Sequence, residues 1–223
     1  MQIEESKIFK FSNNSWAREI ACEFHKKASE IVTKKGNCDF LLTGGRTAKE
    51  IYLQWKGLND FSSLKDIKFY LGDERCVDEN HPDSNYRMML ESLFINGIPK
   101  GCTLSKIFYE DKKITEIIDI CETNFPENPD ILILSLGEDG HIASIFPETD
   151  TLFAKGKIAY FQAERMIDRL TITPKILQNS KDIIVLVQGE IKRNKFLEIL
   201  SSKKDIRTHP AHLLEDASWY LID

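Results

Sequence analysis

The chain has 223 residues, 42% of them hydrophobic and 29% charged, with a formal net charge of −5. That is enough apolar content for a substantial core, while mixed charges without a basic block speak against a nucleic-acid partner. No apolar run approaches the ~18 residues that a membrane-spanning helix needs, and five cysteines without a C-x-x-C pair, behind an N-terminus lacking an apolar signal region, read as a reducing, cytoplasmic protein.

Behind Asn13-Asn14-Ser15, the residues Trp16, Ile20, Phe24, Ala28, Ile31 and Val32 recur at helical spacing, which predicts a helix of about five turns capped by one of those polar side chains. "CDFLLT" (38–43) is a short apolar strand running into two glycines, and "TAKEIYLQW" (47–55) is helical. "IKFYL" (67–71) repeats the strand pattern before a polar loop, and "SNYRMMLESLF" (84–94) is a helix with Ser84 as its cap. "CTLSKIF" (102–108) follows, then a helix around Ile114, Ile117, Ile118 and Cys121, and the apolar strand "DILILSL" (130–136). "KIAYFQA" (157–163), "RLTIT" (169–173) and "DIIVLVQ" (182–188) add three strands, with "PKILQNS" (174–180) a short helix opened by proline. "IKRNKFLEIL" (191–200) is a helix and "SWYLI" (218–222) a closing strand.

Strands alternating with helices predict an α/β fold of three layers, Rossmann-like, with a mostly parallel sheet and helices on both faces. No linker, repeat or low-complexity run interrupts 1–223, so one domain is expected. In such sheets ligands bind beyond the carboxyl ends of the strands, which directs attention to the loops after residues 43, 71, 136 and 188.

The first loop, "TGGRTAKE" (43–50), offers Gly44 and Gly45 before a helix N-terminus, with Thr43, Arg46 and Thr47 as side-chain donors. This suits either an ordinary tight turn or an anion cradle, and it matches neither G-x-G-x-x-G nor the Walker A pattern. The second, "GDERCVDENHPDSNYRMM" (72–89), puts Asp73, Glu74 and Arg75 at a strand end. These are either solvated or paired in a site, because isolated buried charges are costly. In the third, "ILSLGEDGHIASIFPE" (133–148), Gly137 and Gly140 permit a sharp strand-to-helix turn that projects Asp139 and His141. His141 is either a surface or capping residue or a proton carrier at neutral pH. Arg169 and Lys192 are surface cations if taken singly; with Arg46 and Arg75 they converge on one edge and suit an anionic ligand. His209 and His212 flank Pro210 without a further ligand cluster, so no metal site is expected.

Four blocks in order, "LLTGGRTAKEIY", "LGDERCVDENHPDSNYRMM", "DILILSLGEDGHIASIFPE" and the weaker "RLTIT … QGEIK … HPAHLL", closely resemble the 6-phosphogluconolactonase family, within the wider group that includes glucosamine-6-phosphate isomerase/deaminase. The resemblance implies hydrolysis of 6-phospho-D-glucono-1,5-lactone to 6-phosphogluconate in the oxidative pentose phosphate pathway, without a cofactor. It implies that Gly44, Gly45, Arg46 and Thr47 hold the sugar phosphate with Arg169 and Lys192, that Arg75 faces the substrate, and that His141 carries the proton with Asp139 beside it. Many members have Ser at Arg46 and Pro at Ala48. Isomerase members resemble "DGHIAFNEP" and carry "DEY", whereas this chain reads "DGHIASIFP", with Phe146 in place of the glutamate, and "DER"; both differences favour the lactonase. A non-catalytic sugar-phosphate sensor is the other alternative. An acyl-enzyme is disfavoured, since Ser144 falls in the expected helix after His141 and no G-x-S-x-G elbow exists.

Overall fold

The computed structural model describes residues 4–164 and 166–223. In chain order its strands are β1 (Ile8–Phe11), β2 (Cys38–Leu42), β3 (Ile67–Leu71), β4 (Asp73–Arg75), β5 (Thr103–Ser105), β6 (Ile131–Ser135), β7 (Ile158–Phe161), β8 (Arg169–Ile172), β9 (Asp182–Gln188) and β10 (Ser218–Ile222). Seven of them form one parallel sheet in the spatial order β1-β10-β9-β6-β2-β3-β5. The chain winds from β2 to one edge through β3 and β5, then returns across β2 to begin the other half at β6. The β2/β6 boundary is therefore the topological switch point, where open α/β sheets form a crevice.

Near-continuous apolar strands lie where the sheet is covered on both faces. In β6, Ile131, Leu132, Ile133 and Leu134 are all 0% exposed, although successive strand residues point to opposite faces. The long helix α1 (Trp16–Lys35) and α2 (Arg46–Trp55) pack together, with Phe24, Phe40, Trp55 and Phe69 in ring contact at 5.2–6.0 Å. Ser15 starts α1 without a side-chain cap; Asn13 Oδ1 accepts its N–H at 2.8 Å. Further helices are α3 (Asn85–Glu91), α4 (Ile114–Asn124), α5 (Pro174–Asn179) and α6 (Glu190–Ser201).

The remaining strands stand apart as a small antiparallel sheet in the order β4-β8-β7. It joins the end of β3 through Gly72, whose N–H donates to the Leu42 carbonyl at 2.8 Å and whose carbonyl accepts from Ile172 at 2.9 Å.

Several expectations need correcting. Asp73-Glu74-Arg75 is a strand, and 102–108 shrinks to Thr103–Ser105. The strand expected at 218–222 is present as β10, and β1, which the sequence pattern does not reveal, pairs outside it. No helix follows His141; residues 142–145 make turns closed by isolated Leu136–Ile142 and Ile142–Ile145 bridges. Ala143 takes φ +50° there, and so short an apolar run cannot offset the cost of helix nucleation.

Candidate functional site

A cavity of about 560 Å³ opens at the switch point. The loop after β2 supplies Thr43, Gly44 and Gly45; the loop after β6 supplies Gly137, Glu138, Asp139 and His141; the small sheet adds Asp73, Arg75 and Arg169; and α6 adds Lys192 from its first turn. The structure thus brings most of the residues singled out in the sequence to one cavity: Gly44, Gly45, Arg75, Asp139, His141, Arg169 and Lys192. Arg46 and Thr47 instead line an adjoining cavity of about 390 Å³ that shares Glu138 and Lys192 with the first. Thr47 is buried and its hydroxyl donates to Gln188 Oε1 at 2.6 Å, so that donor is already engaged.

His141 is held by its own turn. Gly137 N–H donates to the His141 carbonyl at 2.9 Å, and Asp139 Oδ1 meets both the His141 N–H, at 3.0 Å, and its ring Nδ1, at 2.6 Å. With Nδ1 assigned as the donor to Asp139, Nε2 is left as an unprotonated base. Burial pushes the Asp139 carboxyl up, but the two His141 hydrogen bonds and the His141 charge outweigh it and hold the carboxyl below the usual range. Gly137 has a specific steric job: a methyl at this position would lie 2.6 Å from His141 Cγ and nearer still to Nδ1 and Cε1. Phe146 backs the imidazole at 4.6 Å and is in turn backed by Phe161 at 4.9 Å.

The cations are assembled against their mutual repulsion. Arg75 and Arg169 are direct cross-strand partners in the small sheet, a like-charge pairing that destabilises an antiparallel ladder. Burial, and then Arg75, lower the Arg169 pKa against the opposing effect of Asp73, 4.0 Å away. Burial also lowers the Lys192 pKa, helped by Arg46 and opposed by Glu138. Nearby, α2 and α6 both begin on glycines at positive φ, Gly45 (+99°) and Gly189 (+86°), with no side chain capping either N-terminus. Two uncapped helix starts beside Lys192 are a ready anion cradle.

Beneath the cations lies a polar support that motif reading does not single out. Asn85, 2% exposed, accepts from Arg75 Nη1 and donates to the Asp73 carbonyl at 2.9 Å. A methyl at Gly44 would lie 2.6 Å from Asn85 Cγ and closer to its Oδ1, so this glycine lets the turn settle on the amide. Asp73 also accepts from Ser144 Oγ at 2.6 Å, and Ser144 is fully buried, which keeps its hydroxyl from a substrate. Glu74, 3% exposed, accepts backbone N–H bonds from Arg75, Asn85 and Tyr86, each at 2.7 Å. Burial raises its pKa against those bonds. The expected Ser84 cap is present, accepting from Arg87 N–H at 3.1 Å. The sequence signal for this support is the Ser84-Asn85 pair closing the "DER" block; its meaning depends on three distant segments meeting.

Among the described residues no group of three or more His, Cys, Asp or Glu side chains could hold a metal ion, and no helix is long and apolar enough to cross a membrane.

Residues 12–221 match the family model described as glucosamine-6-phosphate isomerases/6-phosphogluconolactonase. A 6-phosphogluconolactonase of Borreliella burgdorferi is 33% identical over 164 residues, 69% of this chain and 70% of that protein. One from Synechocystis sp. is 26% identical over 208 residues, 85% and 82% of the two chains. The crystal structure of a 6-phosphogluconolactonase from Shewanella baltica superposes with a TM-score of 0.86 over 97% of both chains at 20% identity, a likeness of fold. The chain belongs to the glucosamine-6-phosphate isomerase/6-phosphogluconolactonase family.

Proposed function

We propose that this chain hydrolyses 6-phospho-D-glucono-1,5-lactone to 6-phosphogluconate, with His141 as general base. The observation that carries the proposal is the Asp139–His141 pair, 2.6 Å apart, sharing one cavity with the glycine turn and three cations. A lactone is an activated ester, so the chemistry asks for one water, one base and a place for negative charge. Nε2 of His141 takes a proton from water as its oxygen attacks C1. The tetrahedral oxyanion then collapses, the C1–ring oxygen bond breaks, and the imidazolium returns the proton to the ring oxygen. Asp139 fixes the ring and stabilises the imidazolium.

The Gly44–Gly45 turn, the α2 and α6 N-termini, Arg169 and Lys192 hold the phosphate, with Arg46 adding charge from the adjoining cavity. Binding energy at this remote group positions C1 against His141. Arg75, which lines the cavity from the end of β4, faces the reacting end and places its charge where the oxyanion develops. Phe146 cannot move a proton, which favours hydrolysis over isomerisation.

Stopped-flow loss of freshly generated 6-phosphogluconolactone, corrected for spontaneous hydrolysis, tests the proposal on wild type and His141→Ala. A wild-type rate above background that drops on the order of 10²–10⁴-fold in the variant, with 6-phosphogluconate still bound, is the expected result. Binding without turnover in wild type would make the chain a sugar-phosphate sensor, and release of ammonia from glucosamine 6-phosphate would make it a deaminase.

A further inference from the structure

The mechanism leaves one buried imidazole unused. His209 and His212 lie in the segment that packs beneath the His141 turn, at the start of and within the short helical turn Pro210–Leu213. His212 is fully engaged by the backbone: Nδ1 receives the Asp205 N–H at 2.9 Å, and Nε2 lies 3.0 Å from the Ile199 carbonyl. His209 is not. It is 6% exposed, its Nδ1 is buried with no hydrogen-bond partner, and its Nε2 stands 3.5 Å from Glu198 Oε1.

That bare Nδ1 faces the turn. The position where a methyl on Gly140 would sit is 3.4 Å away, and the Gly140 carbonyl accepts only a long bond, 3.4 Å, from Ala211 N–H. The Gly140 carbonyl and the His141 N–H are two ends of one planar peptide group. The N–H end donates to Asp139 Oδ1 at 3.0 Å, the oxygen that also orients the ring. A pull on the carbonyl end therefore rotates the N–H end out of its clamp.

We propose that His209 is a positioning residue for His141: its neutral ring, seated under Gly140, holds the 137–141 turn, and its protonation releases that turn. With the ring proton on Nε2 toward Glu198, Nδ1 is a lone pair and needs no acceptor. The imidazolium carries a second N–H at Nδ1, on the side where Gly140 packs, and the Gly140 carbonyl, held by the 3.4 Å bond from Ala211, is an acceptor the turn offers it. The charged or titratable groups facing His209 are Lys195 and Glu198 from α6 and Asp205 and His212 from its own segment; the turn presents Gly140 backbone. Burial lowers the His209 pKa, with Lys195 and His212 acting in the same direction against Glu198 and Asp205, which favours the neutral ring.

The inference rests on His141 being the base, and its test separates the two. Profiles of kcat against pH from about 8 down to about 4, low enough to follow a histidine whose pKa is lowered, are compared for wild type, His209→Gln and His209→Asn. Two required neutral histidines give the wild type an acid limb whose logarithmic slope approaches about 2, and either substitution reduces it to about 1. The substitutions also lower kcat several-fold at neutral pH with KM unchanged. In the ligand-free wild type, the His141 ring resonances followed by NMR show a second inflection where His209 titrates, a readout that needs no turnover. A single-proton acid limb in wild type that neither substitution changes, together with a His141 titration lacking that inflection, overturns the proposal. Should both variants fail to fold, the wild-type NMR titration decides it alone.

Discussion

Gly137→Ala separates the placement of His141 from the stability of the fold. Gly137 is not among the glycines at positive φ, so an alanine backbone fits, and the loss of unfolded-chain freedom favours the variant by about 0.4–1 kcal/mol. The new methyl, however, lies 2.6 Å from His141 Cγ and closer to two other ring atoms, which no side chain tolerates. Because the His141 side chain is 30% exposed, the ring swings outward more cheaply than the sheet deforms. The bond to Asp139 then breaks and Nε2 moves by about an ångström or more. Displacement on that scale costs on the order of 10²-fold in kcat, while phosphate binding, remote from the turn, leaves KM near wild type. Thermal unfolding should shift by no more than about 2–4 °C. The double variant Gly137→Ala/His141→Ala should be no slower than His141→Ala alone, since both changes remove one function. Retention of kcat within about threefold by Gly137→Ala, or a double variant slower than wild type by the product of the two single losses, would refute this account of the turn.

Asp139→Asn should lower kcat by about 10²-fold or more through loss of the ring's orienting acceptor. Its stability cost follows a definite sign: the native carboxyl is held low, so its contribution is present above the unfolded value of about 3.9 and fades as pH falls through the native value. Urea melts should accordingly show the wild-type advantage over Asp139→Asn in full at about pH 6 and shrinking as pH is lowered below about 3.9. Glu74→Gln puts an amide donor against the backbone N–H groups that both carboxylate oxygens now accept; calorimetry should register a loss of about 1–3 kcal/mol. Lys192→Ala should raise KM for the phosphorylated lactone, and wild type should turn over unphosphorylated gluconolactone poorly. Equal turnover of the two lactones would remove the cationic cluster from substrate binding.

The fold was legible where burial is periodic or continuous. β2, β3, β6, β9 and β10 are each short apolar runs, and α1 and α2 show one apolar face, so pattern alone locates them. β1 was not legible because its four residues alternate weakly and only half bury: Phe9 and Lys10 stay exposed at the sheet edge. β4 was hidden for the opposite reason. Its three charged residues suit a solvated loop, yet Asp73 and Glu74 are 7% and 3% exposed, because the start of α3 folds over them and supplies their donors. The helix expected after His141 failed because Ile142 and Ile145 bond their backbone groups to each other.

The site divides along the same physical line. His141 and Lys192, which lie just past the carboxyl ends of β6 and β9, follow from topology, because those ends share one edge, whereas Arg75 and Arg169 reach the site from the small antiparallel sheet, which strand patterning does not reveal. Residues that act by contact between segments do not follow from topology either. Asn85 matters through Gly44, on a loop far earlier in the chain, and through Arg75, which reaches it from β4. Arg46 shows the limit from the other side: its place in the phosphate turn is plain in sequence, but α2 begins at that residue, and the side chain lines the neighbouring cavity. Motif spacing therefore identifies which loops meet, while close packing decides which side chains in those loops can reach a substrate. Gly44 and Gly137 are where the two requirements join, since each is small so that a partner side chain, Asn85 or His141, can occupy the space its own would take.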